Sequence, residues 1–174
     1  MFLRWLVLFF LIWVTGAPSR GKKIPTMRRI DLIVIHCTAT RENQRFTEEM
    51  LEQCHRDRGF DACGYHYYVR QDGNILSMRP KEKPGAHAKG YNAHSIGIAY
   101  EGGLDQDGKP KDTRSSWQRH SLRVLVKALL MDYPDARVVG HRDLSPDKNG
   151  DGVISPQEWM KQCPCFEVST LLDD

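Results

Sequence analysis

The sequence predicts an α/β fold: a single domain with a central mixed β-sheet flanked by helices. Three observations carry that expectation. Residues 30–35 are almost all apolar and β-branched, which suits a strand covered on both faces. Leu122, Leu125, Val126, Leu129 and Leu130 recur at the spacing of one helix face. Asp72-Gly73 separates two short strand patterns and marks a hairpin. Strands interleaved with helices, plus one hairpin, imply a mixed sheet. At 174 residues, the chain is long enough for one domain with a sizeable core.

The elements follow in order. Arg4 supplies a positive start, residues 5–14 are uninterruptedly apolar, and Thr15, Gly16 and Ala17 are small. Residues 1–17 therefore read as a signal peptide, with 18–28 as a linker. The apolar run is short for a bilayer span, which needs about 20 residues. Export to a periplasm or the exterior, without stable membrane insertion after cleavage, is the expectation. The domain spans 29–174 and opens with the apolar strand that delivers His36. Thr47 followed by Glu48 and Glu49 starts a helix, and Gly59 stops it. Residues 65–70 read as a strand, Asp72-Gly73 as a two-residue turn, and 74–78 as the returning strand. Residues 95–100 form another strand, ended by Gly102 and Gly103. The amphipathic helix around Leu122 follows, with Pro134 beyond it. A short strand at 137–140 delivers His141, and a last short helix is expected from Pro156.

Composition excludes little. A formal charge of +3 is too small to argue for nucleic acid and is compatible with an anionic polymer. The cysteines are Cys37, Cys54, Cys63, Cys163 and Cys165, an odd number, so at least one stays free or binds a metal. Export would permit disulfides. Cys54 and Cys63 flank a helix end and are a candidate bridge. Cys37 alternates with His36 along a strand, so it should face the opposite side and lie in the core.

Of the seven histidines, His36 and His141 directly follow apolar strand runs. Strand ends are where α/β sheets build sites. Two imidazoles plus a cysteine from Lys161-Gln162-Cys163-Pro164-Cys165-Phe166 would make a three-ligand zinc set. Such a set leaves a fourth position open, as catalytic zinc requires. Spacing alone supports this weakly, because a histidine that ends a strand is more often a hydrogen-bonded structural residue.

Five ordered motifs say more. They are Ile33-Val34-Ile35-His36-Cys37-Thr38-Ala39-Thr40; Gly64-Tyr65-His66-Tyr67-Tyr68-Val69 with Asp72-Gly73; and Gly85-Ala86-His87-Ala88-Lys89-Gly90-Tyr91-Asn92 with Ser95-Ile96-Gly97-Ile98. Gly140-His141-Arg142-Asp143 and the Cys163 segment complete the series. Together they resemble the type 2 N-acetylmuramoyl-L-alanine amidases, especially the amidase-type lysozymes of bacteriophages. The resemblance implies a zinc fold shared with peptidoglycan recognition proteins. It implies a hydrolase that cuts the amide between N-acetylmuramic acid and L-alanine, with peptidoglycan or muropeptides as partner and a monomeric chain. By motif match, His36, His141 and Cys163 fall on the zinc ligands, and Tyr65 and Lys161 on the catalytic side chains. His66, His87 and Asn92 are candidates for lining a substrate groove, and His66 could equally be a packing residue. Some family members carry a glutamate where this chain has Ala99, and Glu101 is not assigned its role.

A second metal is suggested by residues 147–158, which fit a twelve-residue calcium loop. Asp147, Asn149 and Asp151 take the alternating oxygen positions, Gly152 the sharp turn, Val153 the backbone carbonyl position and Glu158 the closing carboxylate. The plainer reading is a surface turn before a helix cap, since Ser155, Pro156 and Glu158 form a capping box. Two competing functions stand beside the amidase: a non-catalytic peptidoglycan-binding protein, and a calcium-regulated interaction protein built on the 147–158 loop.

Overall fold

The computed structural model describes residues 28–173; the expected signal peptide and all but the last linker residue lie outside them. Five strands make the main sheet: β1 (Leu32–Cys37), β3 (Tyr67–Val69), β4 (Ile75–Ser77), β5 (Ser95–Tyr100) and β7 (Arg137–Gly140). Their order is β4-β3-β5-β1-β7. Only β3 and β4 pair antiparallel; the other neighbours are parallel. A small parallel pair, β2 (Thr40–Arg41) with β6 (Gly103–Leu104), stands apart. The mixed sheet is as expected.

β1 lies between β5 and β7, and all six of its residues are buried. One face carries Ile33, Ile35 and Cys37, which pack with Ile96 and Ile98 of β5. Helix α2 (Ser116–Asp132) covers that face with Leu122, Leu125, Val126 and Leu129. Burying each such side chain contributes about 1.5–3 kcal/mol. The apolar stripe misses the start of α2. Ser115 caps it, accepting from the Gln118 N–H at 3.0 Å while its own N–H donates to the Gln118 side chain at 3.1 Å. The opposite face carries Tyr68 and Ala99, packed with Leu51 of α1 (Glu48–Asp57) and with Cys63. Thr47 caps α1 as its sequence predicts, and Gly59 follows the helix at φ +83°.

Three local expectations are corrected. The strand expected at 65–70 is ordered only over 67–69, because Gly64 is drawn off the sheet. Its carbonyl accepts from the Ala86 N–H, and its N–H donates to His55 Nδ1. The Asp72-Gly73 turn is longer than two residues: Gly73 N–H donates back to the Arg70 carbonyl with Gly73 at φ +86°, and Arg70 pairs with Asn74. The helix expected from Pro156 is a single turn closed by Glu158 N–H onto the Ser155 carbonyl. Only half of the capping box forms: the Ser155 N–H and hydroxyl both donate to the Glu158 carboxylate, while the Glu158 N–H takes the Ser155 carbonyl and not its hydroxyl, and no apolar stripe follows to bury a further turn.

Candidate metal centre and groove

The carboxyl ends of the parallel strands point the same way, and the candidate site sits there. β1 ends on His36 and Cys37. β7 ends on Gly140, and the 3-10 turn His141–Leu144 begins immediately. The third contributor is the segment around Cys163, pinned from two sides. Arg142 N–H donates to the Cys163 carbonyl at 2.8 Å, and the buried Tyr100 hydroxyl donates to the Pro164 carbonyl at 2.6 Å. Gly140 allows the approach, since a Cβ there would lie 2.7 Å from Pro164 Cδ.

Ligand atoms of His36, His141 and Cys163 all lie within 4.8 Å of one another. Cys163 Sγ is 3.9 Å from His36 Nδ1, and the two imidazole centroids are 4.5 Å apart. Tetrahedral zinc at its usual bond lengths sets ligand atoms about 3.3–3.8 Å apart, so small side-chain rotations would suffice to close on an ion. The donor set, one sulfur and two ring nitrogens, suits zinc. His36 is held well below its ordinary pKa by burial, then by His87, His141 and Lys161. His141 is lowered to about 4 by burial and by Lys161. Both rings are therefore neutral at physiological pH, the form that ligates. The Cys37 N–H donates to Cys163 Sγ at 3.2 Å, which fixes the sulfur beside the imidazoles.

His87 supports this set from behind. Its Nδ1 lies 3.0 Å from His36 Nε2, so His36 is left to present Nδ1 toward the sulfur. Its Nε2 lies 3.3 Å from Ser95 Oγ, and burial lowers its pKa to about 3. The ring rests against Gly97, where an added Cβ would come within 2.4–2.6 Å of three ring atoms. We therefore expect Gly97→Ala to displace His87, cost about 1–3 kcal/mol in urea unfolding and weaken zinc retention about 10–100-fold.

The other expected residues divide. Tyr65 lies beside His36, with centroids 5.0 Å apart; burial first, then the Cys163 sulfur, pushes its phenol pKa up, so it keeps its proton. Lys161, His87, Asn92 and His141 line an open cavity of about 540 Å³. Asn92 also shapes its wall, accepting the N–H groups of His87 and Ala88 at 2.9 Å. His66 does not line that cavity. It is fully buried, accepts the Gly97 N–H on Nδ1, and meets Arg28 and the Lys83 carbonyl on Nε2, so of its two readings it is the packing residue. Glu101 is also buried and accepts the Phe46 and Gln71 N–H groups. Cys37 is buried in the core as expected. Cys54 is exposed and Cys63 buried, both as free thiols.

Sequence reasoning missed Arg58 and Lys89, which bring positive charge to the cavity wall. Both are exposed; Lys89 lies within the third motif but was not singled out from it, and Arg58 caps the end of α1, where a basic residue is common without any function. It also missed His55, whose buried ring stands 5.2 Å from that of Tyr65.

In the 147–158 loop, Asp147 accepts the N–H groups of Gly150 and Gly152, Asn149 that of Asp151, and Asp151 that of Val153. Glu158 turns onto the N–H groups of Ser155, Lys148 and Asn149, which lower its pKa to about 2. Among the described residues, the one group of three His, Cys, Asp or Glu gathered closely enough for a metal is His36, His141 and Cys163.

Known proteins repeat this arrangement of fold and sequence. The family model of N-acetylmuramoyl-L-alanine amidase matches residues 26–165. The endolysin of Escherichia phage T7 is 33% identical over 138 residues, covering 79% of this chain and 82% of its own. The N-acetylmuramoyl-L-alanine amidase LysC from Clostridium intestinale superposes with a TM-score of 0.60 at 28% identity, over 79% of this chain and 77% of its own. Bumblebee PGRP-SA shares the fold, with a TM-score of 0.63 at 24% identity over 87% of this chain and 82% of its own. The family match takes in β1 with His36, β7 with His141, and the segment that carries Cys163, so the chain belongs to the N-acetylmuramoyl-L-alanine amidase family.

Proposed function

We propose that this chain is a zinc-dependent hydrolase that cuts the amide bond between N-acetylmuramic acid and L-alanine in peptidoglycan. The observation that carries the reading is the convergence of His36, His141 and Cys163 beside an open, positively lined cavity. Zinc bound by these residues would supply Lewis-acid polarisation of the scissile carbonyl and activation of water at neutral pH. The chain's own groups account for the rest. Lys161 is a fixed cation at the cavity wall, suited to the negative charge that develops on the carbonyl oxygen. Tyr65 retains its proton and can donate it as a hydrogen bond to the tetrahedral species. His87 holds the His36 ring, and Asn92 shapes the wall where substrate would lie. No acid is placed as general base: Ala99, within β5, stands where some family members carry a glutamate, and both oxygens of Glu101, just after the strand, accept backbone N–H groups. Proton handling then rests with the metal, Tyr65 and Lys161.

The test is digestion of purified peptidoglycan followed by mass spectrometry. Free L-alanine amino termini and unmodified muramic acid lactyl groups are expected. Retention on the wall without either product would favour the non-catalytic binding protein.

Two further parts of the reading concern residues around this core. Export is supported by the charge, apolar and small-residue pattern of residues 1–17. Calcium at 147–158 is supported by the alternation of Asp147, Asn149 and Asp151 before Gly152, with Glu158 closing the loop. Binding would require Glu158 to leave its backbone partners. Since the loop lies between His141 and Cys163, calcium would order the approach to the metal centre. Chelation that removes calcium but leaves zinc should lower the melting temperature by a few degrees; an unchanged melting temperature and activity would end the calcium proposal.

A further inference from the structure

The cysteines gathered at the end of β1 are not equivalent. Cys163 faces the imidazoles, whereas Cys37, on the opposite face of β1 from His36, is directed into the core beneath α2. The sulfur of Cys165 lies 3.9 Å from that of Cys37. Cys165 reaches this place through an unusual backbone, with φ at +69° in the left-handed region that residues with a Cβ avoid. The segment holds that conformation: Cys165 N–H donates to the Gln162 carbonyl at 2.7 Å, and the two neighbouring carbonyls are bound by Arg142 and Tyr100. Cys37 is wedged from the other side, since a Cβ on Gly103 would come 2.5 Å from its sulfur. The bonds that pin the Cys163 segment thus also hold two further thiols face to face, neither of which belongs to the metal set or the groove.

We propose that Cys37 and Cys165 form a dithiol pair that closes to a disulfide under oxidising conditions, while Cys163 is reserved for the metal. A disulfide needs sulfurs about 2.05 Å apart, and rotations about χ1 of the two side chains supply that approach. The reaction needs an external disulfide. Cys165 is the more accessible thiol and attacks it first, forming a mixed disulfide and releasing one reduced thiol. Cys37 then displaces the second thiol. One Sγ–Sγ bond forms, two S–H bonds are lost, and two electrons and two protons end on the external disulfide as two thiols. The bond would tie β1 to the ligand segment 128 residues away, on the side of Cys163 that the metal does not use. This proposal stands independently of amide hydrolysis, because its readout is covalent.

The test uses the full, zinc-loaded chain incubated with oxidised glutathione, then alkylated without reduction and mapped by mass spectrometry. The expected products are a linked peptide pair containing Cys37 and Cys165, two fewer alkylated thiols, and a melting temperature raised by about 5–10 °C and restored by reductant. Cys165→Ser should remove all three changes. All five thiols still alkylated, or a bridge that contains Cys163, Cys54 or Cys63, would overturn the assignment.

Discussion

Replacing Cys163 with alanine is expected to remove zinc from the purified protein and to lower amide release from peptidoglycan by at least ~10³-fold. The reason is the shape of the donor set. Its other two members are imidazoles, and the sulfur stands 3.9 Å from His36 Nδ1. Two nitrogens alone leave a labile site. The fold should survive, because Cys163 is only partly buried at the edge of the core. Metal analysis, circular dichroism and product release would be read on the same sample. Zinc retained at one equivalent with activity unchanged would remove Cys163 from the ligand set.

The second large effect is expected at Lys161. Lys161→Met keeps much of the stem and deletes the charge. We expect kcat to fall about 10²–10³-fold with KM changed only a few-fold, the pattern of a group that acts on the transition state. A matching physical signature comes from the same charge. Lys161 is among the causes that lower the pKa of His141 to about 4. Removing it should move His141 upward in the zinc-free protein, measurable by NMR titration. Lys161→Arg should retain part of the activity. An equal loss in the arginine variant, without the His141 shift in the methionine variant, would point to folding rather than charge.

Much of this molecule was legible in the chain, for definite physical reasons. β1 and β5 are buried on both faces, so their sequences are largely apolar runs; the bounds of β5 were read as observed, whereas β1 runs 32–37 and not 30–35, because pairing with β5 carries it through His36 and Cys37. The stripe of α2 marked the helix, although its first turn depended on the Ser115 cap rather than on apolar spacing. Three candidate ligands separated by long stretches of chain were not legible from spacing; ordered motifs, not periodicity, pointed to His36, His141 and Cys163. The errors have local causes. Residues 65–66 looked like strand, but only the His66 backbone still bonds to the neighbouring chains, at Gly97 and Met78, while Gly64 is bound to His55 and Ala86 and takes the preceding chain away. The sequence left His66 open between groove and packing, because the contacts that occupy its nitrogens, with Arg28 and the Gly97 N–H, come from distant parts of the chain. Tertiary hydrogen bonds of this kind leave no local pattern.

The placement of β1 between β5 and β7 has a consequence for biosynthesis. His36 is made early and Cys163 emerges 127 residues later, after every strand of the sheet. A chain that ends before residue 163 carries both imidazoles but lacks the sulfur. The full donor set, and with it the proposed zinc site, thus exists only once the final segment has docked against β1 and the turn after β7.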